Sequence, residues 1–443
     1  MDILYQDNHL LVVVKPPNMP VQADESGDLD LLTALKAYIK EAYHKPGAVY
    51  LGLVHRLDRP AGGVMVFART SKAASRLSSQ FAGHGAKKRY FALACGHGDG
   101  GQLQGYIRRL PEGGACLCQA QDPEAKLARL SYRPLAYAQG LTLADVALYT
   151  GRHHQIRLQF AGAGLPLYGD QRYNPQAKPG QQLALWAYSL TIQHPTLHKA
   201  MTFTALPHGG AWDAPGFGPA MAGAAAGFRL VYQDENLLAV DKPTGLATAA
   251  ADEAPGADTL EARLAGLFGP VYPLHRLDVN TTGLVLFARN EPCRDALLQA
   301  FAQRRIHKTY HCVVKGRPQP PQATRTAYAR KDPQRSRVQV LPHPAPEAKE
   351  MVTSYRVLST KGDASLLEVD LHTGRTHQIR AHMAYLGHPL LGDDKYGDRD
   401  WNRLHKVSLP RLCAVALRFD LEQDSPYAYL NDLPLQIHPP WTF

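Results

Sequence analysis

The 443-residue chain has little of what marks several protein classes. No apolar run approaches the roughly 18 residues a helix needs to span a bilayer. The first residues, Met1-Asp2-Ile3, lead into an apparent strand and do not resemble a signal peptide. Six cysteines are scattered along the chain; Cys116 and Cys118 stand two apart, but paired Cys-x-x-Cys elements are missing. This argues against a disulfide framework and a structural zinc site, and points to a reduced, cytoplasmic setting. The 20 histidines include His372, His377 and His382, which raise the question of a metal. If the last two share a helix, a separation of five puts them about 140° apart, whereas helical ligand pairs stand at i,i+4. A carboxylate cluster of the kind a metal-dependent nuclease uses is also missing. No metal site is expected.

Positive charge is in excess: 49 Lys and Arg against 39 Asp and Glu, a net charge of +10. A basic excess suits a polyanionic partner, although on a long chain it can also serve solubility. The charge is clustered at Arg56 and Arg59, at Lys87-Lys88-Arg89, at Arg152 and Arg157, at Arg304-Arg305 and Lys308, and at Arg375 and Arg380. Such clusters can hold phosphates or form a solvated face.

Repetition decides more. His55-Arg56-Leu57-Asp58 returns as His275-Arg276-Leu277-Asp278, within a series of matches in the same order. Ile3-Leu4-Tyr5-Gln6-Asp7 is answered by Leu230-Val231-Tyr232-Gln233-Asp234, and Lys15-Pro16 by Lys242-Pro243. Lys88-Arg89-Tyr90 corresponds to Lys308-Thr309-Tyr310. Gly151-Arg152-His153-His154-Gln155-Ile156-Arg157 corresponds to Gly374-Arg375-Thr376-His377-Gln378-Ile379-Arg380. Gly169-Asp170 and Tyr173 are matched by Gly392-Asp393 and Tyr396. So long a period marks two whole domains, not the short units of a solenoid. The expected division is a domain over 1–213, a linker over 214–227 and a second domain over 228–443. The linker is inferred from a Gly/Ala/Pro stretch without a charged residue.

Leu10–Val14 and Leu237–Val240 are apolar runs of strand length, each followed by Lys-Pro. After each His-Arg-Leu-Asp come a glycine-containing turn, a strand (Val64–Ala68 or Leu284–Ala288) and a helix. Thr70 or Ser71 can cap the first helix; Asn290 can cap the second, which Pro292 opens. A further helix is expected over Thr376–Leu386, stopped by Gly387. Strands and helices lack steady βαβ alternation, so the expected class is α+β, each domain a largely antiparallel mixed sheet flanked by helices.

Asp58 precedes Gly62-Gly63 and Asp278 precedes Gly283, so each carboxylate is placed at a sharp bend. One such aspartate is adequately explained as an Asx-turn. Turn chemistry, however, does not require a tyrosine and an arginine downstream in both copies.

Both halves resemble the RluA-type pseudouridine synthases. The shared pattern is a strand ending in Lys-Pro, His-Arg-Leu-Asp before a turn, Lys-x-Tyr, Gly-Arg-x-His-Gln-Ile-Arg and Gly-Asp. The resemblance covers nearly all of 1–213 and 228–443. It implies catalytic roles for Asp58 and Asp278, which would attack the target uridine as its glycosidic bond breaks. Tyr90 and Tyr310 would stack on the base and are candidates for the closing proton abstraction. Arg157 and Arg380 would pair with the aspartates. Arg56 and Arg276 would help extrude the nucleotide, and Lys88, Lys308, Arg152 and Arg375 would contact RNA. The implied partner is structured RNA, ribosomal or transfer, with no membrane and no obligate protein partner. Isomerisation consumes nothing, so no cofactor or metal is implied.

The first half departs from the pattern. Pro60-Ala61-Gly62-Gly63 lacks the hydroxyls of Asn280-Thr281-Thr282-Gly283, and His153 stands where the second half has Thr376. Activity in both halves is expected; the alternative is that one half, the first more readily, binds RNA without catalysis. Some relatives carry a small basic RNA-binding domain ahead of the catalytic one. Here Ile3 already falls in the catalytic pattern, so that module is expected to be absent.

Overall fold

The computed structural model describes residues 2–44, 46–111, 113–250, 258–332 and 337–443. The chain divides into two compact units, Met1–Ala225 and Ala226–Phe443. Among the described residues each is built on an 11-stranded sheet, nine of whose strands form one path while two pair beside it. In the first the strands run in the order Ile3–Gln6, Leu10–Lys15, Gly62–Ala68, Leu185–Gln193, Lys87–Cys95, Leu141–Leu148, Lys126–Ala138, Gly101–Arg109, Ala115–Cys118. The second repeats this as Arg229–Gln233, Leu237–Lys242, Thr282–Ala288, Leu412–Phe419, Ile306–Lys315, Ala364–Leu371, Lys349–Lys361, Gln322–Asp332, Arg337–Leu341. Neighbours are antiparallel except Gly62–Ala68 with Leu185–Gln193 and Thr282–Ala288 with Leu412–Phe419, which are parallel. The fold is α+β with mixed, mostly antiparallel sheets, as expected.

The uninterrupted apolar runs are explained by burial on both faces of the sheet. Leu11, Val13, Met65 and Phe67 face a helix over Leu31–Ala42 through its Leu31, Leu35 and Ile39. The alternate residues Leu10, Val12, Val64 and Val66 face the helix Ser71–Ala82 through Ala73 and Leu77. The second unit splits Leu238 and Val240 from Leu237 and Ala239 in the same way. Thr70 caps Ser71–Ala82 by accepting from the Ala73 N–H at 3.2 Å. Asn290 caps Glu291–Ala302 by accepting from the Cys293 N–H at 2.9 Å.

Two expectations are corrected. The stretch read as a linker contains a helix, Phe217–Ala225, whose Phe217 and Met221 are buried against the first unit's Phe91, Leu93 and Tyr188. Its small residues make a close-packed helix and not a tether, and the boundary between units falls after Ala225. The helix expected over Thr376–Leu386 spans Gln378–Tyr385. His377 adopts left-handed backbone (φ 54°), and the Gln378 side chain folds back to accept from the Arg375 N–H at 2.9 Å, so a turn precedes the helix. Among the described residues no helix is long and apolar enough to cross a membrane.

Candidate active site

Each site starts from the buried lysine of Lys-Pro. Lys15 Nζ donates to the carbonyls of Pro16 (2.9 Å), Met19 (2.7 Å) and Arg59 (3.0 Å); Lys242 donates to those of Pro243 (2.9 Å), Leu246 (2.8 Å) and Val279 (3.1 Å). One ammonium thus ties the end of the strand to the residue after Asp58 or Asp278. Burial pushes both lysines down to about 8, while the aspartate's charge pulls the other way. The histidine of His-Arg-Leu-Asp is a second anchor: His55 Nε2 accepts from the Val66 N–H at 3.1 Å and His275 Nε2 from the Leu286 N–H at 3.2 Å. Burial, reinforced by Lys88 and Lys308, pushes these imidazoles down to about 3, which keeps them neutral acceptors.

The turn is closed by main chain, Ala61 N–H to Asp58 O and Thr281 N–H to Asp278 O, both at 3.0 Å. The carboxylates are therefore not spent on an Asx-turn. Gly63 follows at φ 123°, and a Cβ there would stand 2.3 Å from the Ala187 carbonyl oxygen; Gly283 repeats this at φ 114° against Ala414. Only glycine fits this approach of two parallel strands.

The arginine arrives on a different element. Gln155 Oε1 accepts from the Arg152 N–H at 3.0 Å and Thr150 Oγ at 2.8 Å, which folds Gly-Arg-His-His into a turn before the helix Gln155–Gly162. Arg157, in the first turn of that helix, grips Asp170 through Nε (2.8 Å) and Nη2 (2.7 Å) and reaches Asp58 with Nη1 at 3.5 Å. Arg380 grips Asp393 at 2.6 and 3.0 Å and reaches Asp278 at 3.0 Å. Burial works against these guanidinium charges, but the buried carboxylate outweighs it and holds both arginines above their ordinary range. Asp170 and Asp393 are in turn held below theirs by the same pairing, against the effect of burial. A bidentate clamp of this kind fixes the direction of the one free N–H edge.

His154 and His377 complete the inner set. The His154 Nδ1 meets the Tyr173 hydroxyl at 2.7 Å and its Nε2 lies 3.8 Å from Asp58; His377 meets Tyr396 at 2.9 Å and lies 3.8 Å from Asp278. Tyr90 and Tyr310 are buried; burial, and then the nearby aspartate, pushes both phenols well above their ordinary value.

The structure therefore brings Asp58, Tyr90 and Arg157 together with Arg56, Lys88 and Arg152 around one cleft of about 1660 Å³. That exceeds the roughly 300–1,000 Å³ typical of small-ligand sites and suits a segment of polymer. Arg56 and Arg276 are exposed and make no hydrogen bond or ion pair among the described residues. Arg152 and Arg375 are less free, since each donates its Nε–H to a strand carbonyl, Leu127 or Glu350, at 2.9 Å. Lys308 lies 5.5 Å from the Phe301 ring centroid.

The sequence reading missed the work of Lys15, Asp170 and His154 and their counterparts, although all six lie in the repeated motifs. Of the histidines singled out in sequence, His372 and His382 do not converge on a common ligand set. His372 meets the Ser354 hydroxyl at 2.7 Å and His382 the Thr353 hydroxyl at 2.9 Å, each apart from a ligand set. Among the described residues the group whose ligand atoms converge is Asp58, His153 and His154, all within 4.8 Å of one another.

Comparison with known proteins gives a consistent answer. The RNA pseudouridylate synthase family matches residues 9–162 and again 236–385. An uncharacterized RNA pseudouridine synthase of Chloroflexus aurantiacus is 41% identical over 167 residues, covering 36% of this chain and 51% of the relative. Ribosomal large subunit pseudouridine synthase D of Zymomonas mobilis is 34% identical over 177 residues, covering 38% and 55%. The dual-specificity RNA pseudouridine synthase RluA of Vibrio cholerae is 33% identical over 168 residues, covering 38% and 67%. The solved structure of human RNA pseudouridylate synthase domain containing 4 is 24% identical, covers 47% of this chain and 89% of its own, and has a TM-score of 0.40. The chain spans about half the length of the first two relatives. With a repeated sheet, a repeated Asp–Arg–Asp arrangement and two matches to one family, the chain belongs to the RNA pseudouridylate synthases.

Proposed function

We propose that the chain isomerises uridine to pseudouridine in structured RNA, ribosomal or transfer, and that each unit is a complete catalyst. The observation that carries this is the arginine clamped between two carboxylates, Asp58–Arg157–Asp170 and Asp278–Arg380–Asp393, built twice beside a buried tyrosine. A nucleophilic carboxylate in a cleft must stay ionised, and an adjacent guanidinium favours that form. Asp170 and Asp393 set the arginine's direction and leave one N–H edge for the nucleophile.

A uridine in a helix or stacked loop cannot present its glycosidic bond to a side chain. The enzyme must extrude it, offsetting a few kcal/mol of stacking with its own contacts. Unpaired, exposed Arg56 and Arg276 suit insertion into the space left behind. Tyr90 and Tyr310 offer a ring face to the extruded base. With phenols pushed up by burial, they suit that face better than proton abstraction in the resting enzyme. The basic cleft would hold the flanking phosphates, and the reading places the protein with its RNA in the cytoplasm.

Carbodiimide mapping of pseudouridine in RNA from cells lacking the protein, against cells in which it is restored, tests the reading. Loss and return of specific positions is the expected result; an unchanged map would make the protein an RNA binder without isomerase activity.

A further inference from the structure

We propose that Asp58, His153 and His154 form a reversible binding site for a divalent transition-metal ion in the first unit, and that an ion bound there silences that unit by occupying its aspartate.

Three donors of suitable type converge: two imidazoles and a carboxylate, with all ligand atoms within 4.8 Å of one another. Metal–nitrogen and metal–oxygen bonds of about 2.0–2.2 Å place tetrahedral ligand atoms about 3.4 Å apart. The His154 Nε2 to Asp58 distance of 3.8 Å is already close to that. The His153 ring stacks on His154 with centroids 3.9 Å apart, so it reaches the same space by side-chain rotation. His154 is oriented from behind. Its Nδ1 is engaged by the Tyr173 hydroxyl at 2.7 Å, which leaves Nε2 turned toward the aspartate. A second hydrogen bond of this kind is how proteins fix ligating histidines. Two nitrogens, one oxygen and open positions suit zinc, cobalt or nickel rather than magnesium or calcium.

The second unit repeats the aspartate and one histidine but lacks the other, because Thr376 stands where His153 is. Its aspartate is also more committed, with Arg380 at 3.0 Å from Asp278 against 3.5 Å for Arg157 and Asp58. Both differences favour a metal in the first unit alone. Against it stand Arg56, Arg109 and Arg157, which lie near enough to repel a cation. Asp170 pairs with Arg157 and cancels part of that repulsion. The balance gives a weak, exchangeable site and not a structural one.

The test uses the full chain, stripped with a chelator and titrated with Co²⁺, read by the visible absorption that distinguishes protein-bound from hexaaqua ion. Wild type should show one saturable site. His153→Thr, which installs the residue the second unit has, should weaken it at least tenfold, and Thr376→His should add a second site. Weak binding by the other histidines is common to all three proteins and cancels. Equal titration of wild type and His153→Thr overturns the proposal, as does a spectrum that stays hexaaqua throughout. The inhibition arm rests on the proposed function. In an Asp278→Asn chain, Zn²⁺ should suppress the remaining modification at least tenfold and a chelator should restore it; undiminished modification with the metal bound overturns the silencing. If the chain modifies no RNA, the Co²⁺ titration still decides the site.

Discussion

The two units build the same Asp–Arg–Asp arrangement and differ in what packs behind the turn that carries Asp58 or Asp278. In the first, a Cβ on Gly62 would stand 2.3 Å from the indole of Trp186, its parallel-strand neighbour. In the second, Thr282 faces Cys413 at the matching register. Volume has moved from one strand to the next. The hydroxyl lost at Gly62 therefore needs no catalytic explanation: Thr282 spends its own on the Leu412 carbonyl at 3.2 Å, away from the aspartate. A departure that in sequence looks like decay of the motif is, in space, a repacking that leaves Asp58, Arg157 and Asp170 in place.

The comparison is broken most directly by removing the proposed nucleophile of each unit. Asp58→Asn and Asp278→Asn should each lower one unit's modification by about a thousandfold or more and leave the other's unchanged. The substitution is isosteric, so folding should persist, and mapping the RNA from cells carrying each variant reads the result. If Asp278→Asn removes every pseudouridine the protein makes, the units are not equivalent catalysts.

Removing the clamp should cost stability as well as activity. Arg157→Met leaves Asp58 and fully buried Asp170 without their cation, a loss of about 3–5 kcal/mol in urea unfolding. Arg380→Met should cost at most a few tenths of a kcal/mol more, about what a largely exposed carboxylate contributes, because Arg380 also stands 3.6 Å from Asp394. Equal losses would show that this extra carboxylate contributes nothing.

What was legible in the sequence was what the chain states locally or states twice. Leu10–Val14 reads as a strand because of its unbroken apolar run, and Thr70 or Ser71 and Asn290 read as caps because a side-chain oxygen ahead of a helical pattern can accept from the helix's first N–H groups. Asp58, Tyr90 and Arg157 stood out by recurrence. Asp170 recurs too, but nothing in Gly-Asp says that its carboxylate crosses to Arg157. The helix Phe217–Ala225 was hidden because Gly, Ala and Pro are also the composition of a tether. His154 and His377 were hidden by backbone: each is left-handed at the helix start, outside the helical spacing that sequence periodicity reports.

A smaller effect sharpens the repacking argument. Gly62→Thr alone should be overpacked against Trp186 and cost about 1–3 kcal/mol. In a Trp186→Cys background, which copies the second unit's pair, that cost should vanish, giving a coupling energy of similar size in a double-mutant cycle. Additive losses would mean that the two positions do not exchange volume.

The smallest difference expected is between the anchoring histidines. Both have native values of about 3 against 6.5 in the free side chain, so between those limits the unfolded chain binds more protons than the folded one. Stability then rises with pH across the window and is lost as pH falls from 6.5 toward 3, by up to about 1.4 kcal/mol per pH unit for each histidine. His55→Asn and His275→Asn remove the titrating group, while an amide oxygen can still accept from Val66 or Leu286. Each variant should therefore show a shallower loss of urea stability between pH 6.5 and 4.5 than wild type. His55 stacks on Phe81 at 4.5 Å, whereas His275 is tilted 5.2 Å from Phe301 and its buried Nδ1 lacks a partner. An orphaned N–H already weakens the native state of the neutral form. The cost at neutral pH should accordingly be smaller for His275→Asn than for His55→Asn, with the same change in slope. A steeper slope in either variant would mean that its histidine is protonated in the folded protein and anchors nothing.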